Sequence, residues 1–146
     1  MSKFLKIDEL EISDQQLLVD TLALDVAFRV GIQGFVTVES FTEPQHLHGY
    51  LGDVRPETAE VIVRREVVGE DSNDIGFKRQ ANGNFQPIIS EYDSLHYNAS
   101  WLDTLSQKYG ERRYVQEMYN SGFSLASKTM LTDGSIEMTF SPMGVI

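Results

Sequence analysis

A chain of 146 residues fits one domain and is long enough to bury a core without covalent staples. Its 41% hydrophobic content, with 8 Phe, 6 Tyr and 1 Trp, marks a folded protein, and the lack of cysteine excludes a disulfide framework, a thiolate zinc site, an iron–sulfur cluster and a cysteine nucleophile together. The formal net charge of −10 is uneven: residues 1–60 hold 11 acidic against 4 basic side chains, a net of −7, and residues 61–146 hold 11 against 8, a net of −3. Such a field repels nucleic-acid phosphates, so direct nucleic-acid binding would need a locally basic face.

In chain order, KFLKIDELEI alternates Phe4, Leu5, Ile7, Leu10 and Ile12 with charges and predicts a strand or extended lead-in. SDQQLLVDTLALD places Ser13 and Gln16 at capping-box spacing and Leu18 and Leu22 at helical spacing, which predicts a first helix capped by Ser13. VAFRVGIQGFVTVES, rich in Val and Phe with Gly31 and Gly34, predicts strand, bend and strand. TEPQHLHGYLGD reads as a solvent-facing loop opened by Pro44 and turned by Gly49 and Gly52. TAEVIVRREVV, with β-branched Val61, Ile62, Val63, Val67 and Val68, predicts a central strand.

In DIGFKRQANGNFQPIIS, Asn82-Gly83 predicts a tight hairpin with both central residues at positive φ, and Pro87 predicts that the second arm lies at an edge or ends there. SWLDTLSQKYGERRYVQEMYNSG sets Trp101, Leu105 and Tyr109 at i, i+4 and i+8, with Gly110 dividing a short helix from a longer one and Gly122 ending it. Asp133-Gly134 then turns a second hairpin, whose returning arm alternates Ile136, Met138 and Phe140. These elements predict one α+β domain over residues 1–146, a mainly antiparallel sheet of hairpins with two helices packed on one face.

No phosphate-binding or dinucleotide glycine loop, nucleophile elbow, H-E-x-x-H or Tyr-x-x-x-Lys occurs, so no cofactor is expected. His46 and His48 share one side of an extended segment, and Asp53, Glu43, Glu57 or His96 could add a third ligand to a zinc-like or iron-like site. A solvated turn explains the same residues. Arg64-Arg65, Lys78-Arg79 and Arg112-Arg113 interrupt the acidity and, with exposed Phe77, Phe85 and Tyr114, would form a single-strand nucleic-acid groove; core aromatics and solvated or paired arginines are the simpler reading. No window approaches the ~20 apolar residues of a membrane span. The N-terminus has neither an apolar signal core nor an arginine-rich transit segment, which predicts a soluble cytoplasmic protein.

The order GYLG at 49–52, AEVIVRR at 59–65, DIGFKRQANGNFQPI at 74–88, SQKYGERRYVQEMYNSGF at 106–123 and DGSIEMTF at 133–140 resembles the hypothetical chloroplast reading frame thirty-five family. These are small cyanobacterial and plastid proteins with bacterial and phage relatives. The resemblance implies an α+β domain in the cytoplasm or plastid stroma, no activity, and an accessory role beside other small proteins and ATPases. Three functions therefore compete. One is a non-catalytic adaptor whose surface binds another protein, using Arg64, Lys78, Arg79, Arg112 and Arg113 or open sheet edges. A second is an acidic inhibitor whose Asp8, Glu9, Glu11, Asp14, Asp20 and Asp25 occupy the basic groove of a nucleic-acid-binding complex. The third is a metal-dependent enzyme built on the histidine stretch.

Overall fold

The computed structural model describes residues 3–144. The chain forms two compact units, Met1–Tyr109 and Gly110–Ile146. In the first, strands β1 (Phe4–Lys6), β2 (Glu39–His48), β3 (Val54–Val63), β4 (Ile75–Arg79) and β5 (Phe85–Ser90) make one antiparallel sheet in the order β1-β5-β4-β3-β2. Helix α1 (Gln15–Val30), a single helical turn α2 (Arg65–Val68), a 3-10 turn (Asp93–Leu95) and helix α3 (Ala99–Asn120) complete its elements, and α3 runs on into the second unit. The second unit adds a separate two-stranded sheet of β6 (Phe123–Met130) and β7 (Ile136–Pro142). The α+β class with an antiparallel sheet is thus the one the sequence predicts.

Helix α1 starts one residue later than expected, because Asp14 rather than Ser13 is the cap: its Oδ1 accepts the Leu17 N–H at 3.0 Å. It also runs five residues further, through the stretch read as strand. Val26 extends the Leu18–Leu22 stripe by one more turn into the core, so tertiary packing overrides the β preference of the local Val and Phe. Gly31, at φ 77°, stops the helix: its N–H reaches the Phe28 carbonyl and the Ile32 N–H reaches that of Ala27 at 2.9 Å, the paired bonds of a left-handed helix end.

All three hairpins turn in the same way. At Gly49–Asp53, Gln80–Asn84 and Leu131–Ser135 the first N–H donates to the fifth carbonyl at 2.8, 2.7 and 2.8 Å, and the fourth donates back to the first at 2.8, 2.9 and 3.0 Å. The fourth residue is always glycine at positive φ: Gly52 at 83°, Gly83 at 91° and Gly134 at 86°. This is the turn-plus-bulge form, in which only the glycine needs the left-handed region. Asn82 accordingly has negative φ, contrary to expectation; its Oδ1 accepts the Asn84 N–H instead.

Further departures have local causes. Residues 42–48 of the histidine stretch are strand, not loop; only Gly49 onward turns. Pro44 sits where the β2–β3 register shifts between Ser40 and Gln45, so its missing N–H interrupts no regular ladder. Strand β3 stops at Val63, and Val67 and Val68 belong to the turn α2, whose first N–H, that of Arg65, donates to Asp74. Strand β5 is interior, between β4 and β1, with Pro87 opposite Phe77. The Pro87 carbonyl accepts from Ile7 on the β1 side, and in an antiparallel pair a residue's N–H points the same way, so proline lies just past the three paired residues of β1. Gly110 does not divide α3, which is continuous from Ala99 to Asn120.

Helices α1 and α3 cover one face of the sheet. Leu18, Leu22 and Val26 meet Val61, Val63, Phe77, Phe85 and Ile89 of the strands and Trp101, Leu105 and Tyr109 of α3. Tyr97 meets Trp101 edge to face at 4.8 Å. The smaller cluster of Phe4, Leu47, Ala59, Ile62 and Ile88 consists of strand residues alone. There Gly76 permits close approach, since a Cβ would lie 2.9 Å from both Ala59 Cβ and Leu47 Cδ2. Gly76→Ala should therefore lower the stability by about 1–3 kcal/mol. Gly110→Ala, with nothing within 4 Å of the added carbon, should raise it by about 0.5–1 kcal/mol; urea denaturation followed by circular dichroism reads both signs.

Candidate functional site

The polar groups with chemical potential are mostly engaged inside the first unit. Asp74 has no exposed surface. Its Oδ2 accepts from the His48 N–H at 2.6 Å and from Arg64 Nη1 at 2.8 Å, and its Oδ1 accepts from the Arg65 N–H at 2.7 Å. Arg64 also donates to Glu39 Oε2 at 2.7 Å and to the His46 carbonyl at 3.1 Å. Burial works against the Arg64 charge, but the hydrogen bonds and charges of Glu39 and Asp74 outweigh it and hold its pKa above the ordinary value. The result is a clasp that fixes the start of α2 and the end of β2 to the segment entering β4.

A neutral-to-acid network continues from it. Asn73 donates through Nδ2 to Ser90 Oγ at 2.9 Å and to Asp93 Oδ2 at 3.1 Å, while its Oδ1 accepts the Tyr50 N–H at 2.9 Å. On α1, buried Asp25 accepts from Trp101 Nε1 at 2.6 Å and Lys108 Nζ at 2.7 Å, with Arg29 Nε 3.6 Å away. Asp25 is thus a core anchor and leaves the acidic face expected of it.

The other acidic candidates divide. Asp8, Glu9 and Glu11 are exposed, with Glu9 accepting from Asn82 Nδ2. Asp14 caps α1, and Asp20 accepts from Gln16 one turn earlier. His46 is exposed and donates from Nδ1 to the Arg55 carbonyl at 2.8 Å, which fixes the proton on that nitrogen. His48 engages Asp74 through its backbone: its N–H donates to Asp74 Oδ2 and its carbonyl accepts the Asp74 N–H at 3.0 Å. Asp53 pairs with Arg55 at 3.5 Å, and Glu43 is exposed on β2. His96 ends the 3-10 turn. Among the described residues no three His, Asp or Glu side chains are grouped to hold a metal ion.

The basic candidates also fall apart as a patch. Lys78 donates to Thr58 Oγ1, and Arg79 donates to the carbonyls of Ser13 and Gly83 and lies 4.4 Å over the Phe85 ring. Arg113 pairs with Glu117 one turn on, and Arg112 is half-buried in the second unit. Phe77 and Phe85 are wholly buried, so neither can stack on a base; Tyr114 meets Phe140 edge to face at 5.4 Å. Arg64 and Arg65 lie in and beside the clasp rather than on opposite faces of a strand.

What sequence reading missed is apolar. Leu24, Phe28, Ile32 and Phe35 are 42, 81, 50 and 73% exposed. Leu24 and Phe28 stand one turn apart on α1, and the segment carrying Ile32 and Phe35 is tied back to the same helix by its backbone, with the Ile32 N–H on the Ala27 carbonyl at 2.9 Å and the Val36 N–H on the Ala23 carbonyl at 3.0 Å. Lys108 Nζ is 5.8 Å from the Phe28 ring centre. The signal was the pair Leu24 and Phe28 at i, i+4, offset by two from the buried stripe 18-22-26; it becomes readable only once the helix is known to reach Val30.

These features define an antiparallel α+β protein whose interior charges serve architecture. The chain belongs to the family described as protein of unknown function (DUF1257), which it matches over residues 36–139. No curated protein and no solved structure matches it. Among the described residues no helix is long and apolar enough to cross a membrane.

Two outcomes test the clasp and the Tyr97 environment. Asp74→Asn should cost about 3 kcal/mol by urea denaturation, against less than about 0.5 kcal/mol for exposed Asp8→Asn. Tyr97 has its pKa raised, first by burial, with Asp25 and Asp93 adding and Arg29 opposing. With the folded value above the unfolded one, near 10, its contribution is complete below that pH and is lost as pH rises through the folded value. Tyr97→Phe should flatten that alkaline decline in a pH series of melting curves.

Proposed function

We propose that the protein is a non-catalytic accessory protein that docks another protein through Leu24, Phe28, Ile32 and Phe35. The single observation behind this reading is that group: four large apolar side chains, exposed on α1 and on the segment its backbone bonds tie back to it, on a chain whose Asp25, Arg64, Asp74 and Asp93 are held in structural hydrogen bonds. Phe28 and Phe35 are the anchors, since large exposed rings carry most of the energy when a surface of this kind is covered. The resemblance to the chloroplast reading frame family supports the same accessory role. Asp8, Glu9 and Glu11 lie on the exposed segment between β1 and α1 and serve a secondary, steering part if the partner is basic.

The test is cross-linked capture from the native cell with the wild type, Phe28→Ser, Phe35→Ser and an Asp8→Asn/Glu11→Gln variant. A partner held by the wild type at high salt should be lost with either phenylalanine variant and kept with the charge variant, all four folding equally by circular dichroism. Loss with the charge variant and retention with both phenylalanine variants would favour the acidic inhibitor.

A further inference from the structure

The second unit lacks a core of its own. It runs from Gly110 to Ile146, and none of its described residues is buried. Ile136, Met138 and Phe140 are half-exposed, and Leu125, Met130 and Leu131 are 39, 71 and 42% exposed. A hairpin of two strands is at best marginal alone, and a unit below about 40 residues normally needs a staple or an assembly to hold it. No cysteine is available for a staple.

Its two edges differ. Strand β6 carries a register shift between Leu125 and Ser127 and a lysine, Lys128, both of which discourage a further strand. Strand β7 pairs with β6 on one side only, and its stretch from Ile136 to Ser141 holds neither proline nor lysine. Charge separates the units as well. Glu111, Glu117, Asp133 and Glu137 against Arg112, Arg113 and Lys128 leave the second unit at −1, so the remaining −9 of the total of −10 lies in the first. Two copies that meet through the second unit bring few like charges together; a meeting through the first would oppose many.

We propose that β7 pairs antiparallel with β7 of a second copy across a two-fold axis, joining two hairpins into one four-stranded sheet. The register that fits sets Met138 opposite Met138 of the second copy. Ile136 then faces Phe140 of the other chain, continuing the face that already holds Leu125 opposite Phe140 and Met130 opposite Ile136 within each hairpin, with Lys128 between them opposite Met138. Glu137 faces Thr139, so no like charges oppose each other across the new seam. The interface is isologous and closes at two copies, because each remaining outer edge is the bulged β6. It is independent of the docking cluster, which lies wholly in the first unit.

The absence of native cysteine makes the test clean. In either kind of antiparallel pair the two residues at 138 have Cα atoms about 4.5–5.5 Å apart, within disulfide reach, whereas residues at 127 would stand about three strand spacings apart. The full chain should weigh two copies by light scattering at micromolar concentration. Met138→Cys should cross-link to dimer under mild oxidant and Ser127→Cys should not, while Met138→Arg should weigh one copy with an unchanged circular dichroism spectrum. A wild type that weighs one copy throughout, or a Ser127→Cys that cross-links where Met138→Cys does not, overturns the proposal.

Discussion

A single carboxylate without exposed surface, Asp74, ties three separated stretches of this chain together. It receives the backbone of His48 at the end of β2, the backbone of Arg65 at the start of α2 and the guanidinium of Arg64, and it stands at the mouth of β4. A buried carboxylate is tolerable only when its charge is paired and its lone pairs filled, and here both conditions hold at once. Everything next to it inherits that constraint: Asn73, the preceding residue, is held so that its amide reaches Ser90 and Asp93 while its carbonyl oxygen receives Tyr50. The end of the histidine stretch is held by the same carboxylate. His48 lies where Asp74 needs a backbone donor, and the turn after it is one of three built alike.

The two later hairpins and the buried half of the second long helix were legible because their signals are local. Asn82-Gly83 and Asp133-Gly134 supply a glycine where the chain must enter the left-handed region, and Trp101, Leu105 and Tyr109 declare a buried stripe. The length of α1 was not legible, because Val26, Phe28 and Val30 favour strand locally and only the contacts of Val26 with the sheet decide otherwise. Nor could pairing between distant charges be read. Asp25 looks like any acidic helix residue until Trp101 and Lys108, more than seventy positions later, are seen to point at it. The exposed cluster at Leu24, Phe28, Ile32 and Phe35 was hidden by the same error of helix length.

The family match begins at residue 36, just ahead of β2, and ends at 139, inside β7. Strand β1, helix α1 and the whole of the exposed cluster precede it. The clasp, the three turns and the β6–β7 hairpin up to Thr139 fall within it. So the surface proposed for docking belongs to the part of this chain outside the match, while the seam proposed between copies belongs largely to the part inside. A pair of copies carries two docking clusters, and a partner with two receptive sites would meet the second as a neighbour rather than a stranger in solution.

The sheet order has a kinetic consequence. Strands β2 to β5 follow one another as neighbours in sequence and in space, as do β6 and β7, so each of those pairings closes a short loop. The pairing of β1 with β5 instead joins residue 4 to residue 90. Contacts between near neighbours form quickly and those between distant ones slowly, which orders the assembly: a four-stranded meander first, with the N-terminal strand arriving last. Until it arrives, the outer backbone of β5 from Ile88 to Ser90 is open, and that interval is when a nascent chain is most exposed to pairing with the wrong strand.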